Sequence, residues 1–84
     1  MVQIRFKLSG VFGDRGKNII DIPSMGMRVD EIKPLVKKAF KIVPMAKLKF
    51  LLNGRTLEDD VRMERIGIDP RKEHILVMVL NPNT

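Results

Sequence analysis

The chain contains no cysteine, no tryptophan and no tyrosine, and it has a single histidine, His74. Without cysteine it can form neither a disulfide framework nor a cysteine–zinc site. Ser9 and Ser24 lie in turn sequences, and the acidic run at 58–60 lacks the spaced oxygen ligands of a calcium loop. An enzyme needs a nucleophile, a base or a metal within reach of one another. We therefore expect no enzymatic activity, no catalytic residue, no cofactor and no metal.

Long apolar runs are also missing. The run ILVMVL at 75–80 is long enough for a buried strand but too short to cross a membrane. The N-terminal sequence MVQIRFKLSG has no charged segment followed by an apolar one, so it does not resemble a signal peptide. Since cysteine is also absent, as is common in reducing compartments, we expect no membrane partner and a cytoplasmic or nuclear location.

The chain carries an excess of positive charge. Sixteen lysines and arginines stand against 10 acidic residues, which gives 84 residues a net charge of +6. Such a balance favours an anionic partner, either nucleic acid, an acidic protein surface or anionic lipid. The apolar share of 44% is that of a globular chain, and the length suits one small domain.

The spacing of apolar residues predicts the elements. Alternation indicates half-buried strands, while spacings of three and four from Val29 to Val43 indicate an amphipathic helix. Asp30 is its expected N-cap, Pro34 is expected in its first turn, and Pro44 ends it. The glycine-rich turn at 9–16 is expected to turn Val11 and Phe12 outward. The predicted order is a strand at 2–8, a hairpin strand at 18–22, a helix, a strand at 48–52, a short strand or turn at 55–60, a helical turn at 62–68 and a strand at 75–80.

This order predicts an α+β fold in which one helix covers one face of a mixed sheet of four to five strands. The other face is left for solvent or a partner. In the last strand, one register turns Ile75, Val77 and Val79 inward. The opposite register exchanges the two faces and moves His74 inward. We prefer the first register, because it keeps His74 near solvent.

The stretch LKFLLNGRTLEDD at 48–60 resembles ubiquitin and the ubiquitin-like domains. It has that family's apolar strand, turn glycine, basic residue and Leu-Glu-Asp sequence. MVQIRFKLSG, VDEIKPLVKKAF, VPMAKLKF and MERIGI match further family segments in the same order. The resemblance covers nearly the whole chain and implies a ubiquitin-like β-grasp domain at 1–80, with a tail at 81–84.

Covalent modifiers of this family end in a diglycine, whereas this sequence ends in NPNT and has no Gly-Gly after Gly67. The resemblance therefore implies a domain that binds partners without being conjugated. It would link a larger parent protein to the ubiquitin–proteasome pathway. A covalent modifier whose tail is cut short is a further hypothesis, and a diglycine beyond Thr84 would support it.

Ubiquitin-like domains commonly dock through an apolar patch on the third and last strands, surrounded here by outward basic residues. The implied partners are ubiquitin-receptor helices or proteasome subunits, bound by a monomer. An alternative is that the last strand is covered on both faces, by a neighbouring domain or a second copy. The implied partner-binding residues are Leu51, Leu76, Met78, Arg5, Lys7, Lys49 and Arg55.

A second hypothesis is binding of RNA or an acidic protein through charge. Lys33, Lys37 and Lys41 recur every four residues on the outer side of the predicted helix. The usual meaning of such a stripe is a solvated helix face. Base stacking calls for aromatic side chains, and Phe12 is the single candidate outside the predicted core.

Overall fold

The computed structural model describes residues 2–10 and 16–80. Val11, Phe12 and the tail at 81–84, about which the sequence made predictions, lie outside these ranges. Every predicted element is present among the described residues. The elements are β1 (Val2–Leu8), β2 (Lys17–Ile22), α1 (Val29–Phe40), β3 (Lys47–Leu52), β4 (Arg55–Thr56), a single 3₁₀ turn (Met63–Arg65) and β5 (His74–Leu80).

The five strands form one sheet in the order β2-β1-β5-β3-β4. β1 and β5 run parallel to each other, and the remaining neighbours are antiparallel. The helix packs on one face of this mixed sheet. The predicted α+β fold is therefore confirmed, and its topology is that of a β-grasp.

The core lies between the helix and one face of the sheet. Strand residues alternate between the two faces, so every second residue of each long strand points toward the helix. Two phenylalanine rings, of Phe6 and Phe50, meet there with their centroids 5.6 Å apart. The other buried residues of this layer are Ile4, Ile20, Ile22, Val29, Ile32, Val36, Leu48, Leu52, Ile75 and Val77.

The preferred register of the last strand is confirmed for two of its three inward residues. Ile75 and Val77 are fully buried, and His74 is exposed. The prediction was wrong for Val79, which is 46% exposed although it pairs with the buried Leu48. Val79 keeps the inward parity of β5, but it lies near the end of the strand, where the described residues leave it largely exposed.

The helix ends earlier than its apolar pattern predicts. Lys41 adopts a left-handed conformation, with φ of 57°, and serves as the C-cap. The Ile42 N–H then donates to the Lys37 carbonyl oxygen at 2.8 Å, which closes the helix end. Because the chain turns at Lys41, Val43 leaves the predicted apolar face and is 66% exposed.

The start of the helix also differs from the prediction. The N-cap is Arg28 rather than Asp30, and its N–H donates to the Glu31 carboxylate at 2.9 Å. Asp30 lies in the first turn, where its negative charge favours the positive end of the helix. Pro34 is the sixth residue of the helix, two positions further along than expected, so the Asp30 carbonyl oxygen receives no intrahelical N–H from it.

A loop distant in sequence clasps this end of the helix. We call residues 59–64 the clasp loop. Met63, from its 3₁₀ turn, is fully buried in the core, and Ile66, just after the turn, is also buried. Four backbone hydrogen bonds join the clasp loop to the chain at 25–30, which leads into the helix. The N–H groups donate from Val29 to Val61 (2.9 Å), from Asp30 to Asp59 (3.0 Å), from Met63 to Met27 (2.8 Å) and from Glu64 to Met25 (2.8 Å).

Candidate functional site

The sheet face opposite the helix, here called the outer face, brings together the three apolar residues that the sequence singled out. Leu51 of β3 lies directly opposite Leu76 of β5, and Met78 is two residues further along the same face of β5. All three side chains are partly exposed. We call Leu51, Leu76 and Met78 the outer apolar patch.

Three of the four predicted basic neighbours border this patch. Lys7 lies opposite Leu76 across the parallel pair, and Arg5 lies opposite His74. Lys49 lies opposite Met78 across the antiparallel pair. These positions follow directly from the register of β5 between β1 and β3.

Arg55, the fourth predicted neighbour, is placed differently. It is exposed, but it pairs with Leu52, whose side chain is buried, while Thr56 pairs with Leu51. The reason is the tight turn at Asn53 and Gly54, where both residues have positive φ values of 52° and 82°. A two-residue turn fixes the pairing, and it puts Thr56 rather than Arg55 next to the patch.

Sequence reasoning missed three further residues of the outer face. Leu80 lies opposite Lys47 and extends the apolar column of β5, and Lys17 lies opposite Lys7. The alternation of each strand carried the necessary signal. Leu80 has the same parity as Leu76, whereas Lys17 and Lys47 each lay one residue before the predicted start of their strands.

Positive charge is concentrated on the outer face. It carries five lysine and arginine side chains but one aspartate, Asp21, so its net charge is +4 of the +6 of the chain. Within the described ranges, none of the five forms an ion pair. They are Arg5, Lys7, Lys17, Lys47 and Lys49.

The lysine stripe of the helix is interrupted. The Lys33 ammonium pairs with the Asp59 carboxylate and lies 5.8 Å from the centroid of the Phe50 ring. The Lys37 ammonium donates to the Pro44 carbonyl oxygen at 2.8 Å. Two members of the stripe, Lys33 and Lys37, therefore have partners within the chain. The third, Lys41, is the C-cap and does not continue the helical face.

Residues that the sequence weighed for other chemistry have structural contacts. The Ser24 hydroxyl accepts the Gly26 N–H at 3.0 Å, which is a local turn contact. The carbonyl of Asp59 accepts from the helix N-terminus, and its carboxylate holds Lys33. Among residues 2–10 and 16–80, no three acidic or histidine side chains are grouped to hold a metal ion, and no helix is long and apolar enough to span a membrane.

A carboxylate joins the two loops at one end of β5. Glu73 accepts the Asn53 side-chain N–H at 2.6 Å and the Asp69 backbone N–H at 3.0 Å. The hydrogen bond from Asp69, followed by that from Asn53, lowers the pKa of Glu73 below its ordinary value of 4.5. Both donors favour the ionised form of the carboxyl group over its protonated form.

Replacing Glu73 with glutamine is expected to lower stability at neutral pH and to have little effect in strong acid. A lowered pKa in the folded chain adds stability that is complete above the ordinary carboxyl pKa. That stability is lost as pH falls through the lowered value. Thermal melts of both chains at neutral and acidic pH would measure it, with Glu58→Gln, an exposed glutamate, as the control. An ordinary midpoint in a carboxyl NMR titration of Glu73 would contradict the expectation.

A comparison with protein-family models found none that matches the chain, and a comparison with curated proteins found no match.

Proposed function

We propose that this chain is a ubiquitin-like domain that binds protein partners non-covalently through its outer apolar patch and has no enzymatic activity. The partners are ubiquitin-receptor helices or proteasome-subunit surfaces, as the sequence resemblance implies. The β-grasp topology and the ordered resemblance of five sequence segments support this proposal.

One observation carries the proposal. Three apolar side chains, on two neighbouring strands in direct register, are partly exposed on the face that the helix does not cover. Antiparallel pairs that face water usually carry polar residues on that side. A contiguous apolar patch with polar surroundings is typical of a protein interaction site.

The chemistry of the patch suits a helical or extended partner with apolar anchors and acidic flanks. The three side chains are already partly buried, so a partner gains about 25 cal/mol for each Å² of their remaining apolar surface that it covers. The thioether of Met78 adapts to partners of different shapes. Exposed cations such as Arg5 contribute mainly to the association rate and its salt dependence.

Alanine at Leu51 or Met78 is expected to weaken binding of a ubiquitin-receptor helix by roughly tenfold or more, since a buried anchor contributes about 1–2 kcal/mol and 1.4 kcal/mol is tenfold. An amide NMR titration of the labelled chain would measure the affinity. Wild-type shifts should cluster on β3 and β5. The matched control is Met45→Ala, because Met45 is 88% exposed and lies outside the sheet.

The titration can also contradict the proposal. Unchanged affinity in folded Leu51→Ala and Met78→Ala chains would exclude the patch as the binding surface. A parallel titration with a short RNA addresses the second hypothesis. Shifts confined to Lys33, Lys37 and Lys41, seen with RNA alone and erased by moderate salt, would replace protein docking by nucleic-acid binding.

A further inference from the structure

Three cations on β1 and β2 lie within reach of one another on the outer face. Lys7 and Lys17 are directly opposite in the antiparallel pair, so their Cα atoms are about 5 Å apart. Arg5 is two residues from Lys7 on the same face, about 7 Å away. We call Arg5, Lys7 and Lys17 the basic cluster.

This arrangement opposes the stability of the free domain. Like charges directly opposite on neighbouring strands repel each other. Asp21, the acidic residue of this face, lies opposite Gln3 and two residues beyond Ile19, the neighbour of Arg5. No described acidic side chain is paired with a member of the basic cluster. Three like charges that form no ion pair within the described residues favour a ligand that carries the opposite charge.

The surface at this position is concave. An open depression of about 640 Å³ lies over β1 and β2, and all three members of the basic cluster line it together with Ile19 and His74. Ile19 is 57% exposed and adds an apolar wall. The depression is large enough for a compact anionic group beside these cations.

We infer that the basic cluster binds a dianionic phosphate group, and that this group is a phosphorylated side chain of the partner that docks on the outer apolar patch. An arginine fork and two ammonium groups match the oxygens and the double charge of a phosphate better than they match a single carboxylate. The choice of a peptide source rests on the proposed function. It follows from continuity, since Lys7 is directly opposite both Lys17 and Leu76 and so joins the basic cluster to the patch.

Inorganic phosphate tests the cluster without any partner. In an amide NMR titration at constant ionic strength, saturable shifts are expected at residues 5–7, 17–19 and 74, with no counterpart when chloride is added. Lys7→Gln or Lys17→Gln should weaken this binding about tenfold. Lys38→Gln, at an exposed helix position outside the sheet, should leave it unchanged. Shifts spread evenly over exposed lysines, or equal binding in all variants, would overturn the inference.

A peptide pair tests the source of the phosphate. A synthetic amphipathic helix with a phosphoserine beside its apolar residues should bind about tenfold more tightly than the same peptide with serine. Lys17→Gln should remove that advantage, and Leu51→Ala should weaken both peptides alike. Equal affinity of the two peptides, or tighter binding of an oligouridylate than of the phosphopeptide, would overturn the inference.

The two proposals fail in distinguishable ways. If the phosphopeptide binds no more tightly than the serine peptide, and the serine peptide binds normally, the inference about the basic cluster alone is overturned. A different outcome is that inorganic phosphate binds as expected but Leu51→Ala does not change the affinity of either peptide. That outcome would overturn the proposed function, and with it the inference that the phosphate belongs to a peptide. Lys17→Glu adds a second readout, because it should raise the melting temperature by replacing repulsion with attraction and should abolish stabilisation by phosphate.

Discussion

Replacing Phe50 with alanine is expected to remove most of the stability of the domain. Phe50 is fully buried in β3, packs against the Phe6 ring at 5.6 Å and lies beneath the Lys33 ammonium. Phenylalanine-to-alanine changes in a core cost about 3–5 kcal/mol. Total stabilities of about 5–15 kcal/mol are typical, and small domains lie at the low end. Urea denaturation followed by circular dichroism would measure the loss.

The neighbouring residue provides a matched control. Leu51 follows Phe50 in the same strand but points to the outer face, where it is partly exposed. Its change to alanine is expected to cost about 1 kcal/mol or less. Equal losses at the two positions would mean that both sheet faces are covered in solution, as in a dimer. That result would contradict a free docking surface.

Replacing Met63 with alanine is expected to cost about 2–5 kcal/mol, which is the range for truncating a large buried side chain. Met63 is the fully buried anchor of the clasp loop, which also holds the start of the helix through backbone hydrogen bonds. Losing the anchor leaves a cavity and loosens those bonds together. Chemical denaturation would give the size of the effect.

Hydrogen exchange would show whether the clasp loop acts as a unit. In Met63→Ala, the amides of Val29 and Asp30 should exchange faster, because their acceptors belong to that loop. Arg65→Ala, in the same 3₁₀ turn but exposed, is the control and should leave both rates near those of the wild type. Unchanged protection of Val29 in a destabilised Met63→Ala chain would show that the helix end does not depend on the loop.

Alternation was enough to predict the four longer strands and the side of the sheet that their residues face. The inward set of β1 and β2 follows from Ile4, Phe6, Ile20 and Ile22, which recur at every second position. The end of the helix could not be predicted in this way. Its apolar spacing continues to Val43, and the residue that stops it, Lys41, is not a glycine and gives no signal of a left-handed conformation.

The site was partly predictable for the same reason. The alternation of side chains placed Leu51, Leu76 and Met78 on one face. Whether they are neighbours depends on the register of β5 against β1 and β3, which is set by the whole sheet. Arg55 was misplaced because the pairing after the Asn53–Gly54 turn decides its neighbour. The Lys33–Asp59 pair joins residues far apart in sequence, and it becomes visible once the clasp loop is placed against the helix.

The parallel pair of β1 and β5 has a consequence for how the domain is made. The centre of the sheet is formed by its first and last strands, so the β1–β2 hairpin and the β3–β4 pair stay separate until β5 is available. Pairing over such a separation has a high contact order and is slow. Until then the edges of β1 and β3 that β5 will occupy are open to other chains. During synthesis on the ribosome, the domain is therefore expected to pass through a stage in which other chains or holdase chaperones compete with β5 for these open strand edges.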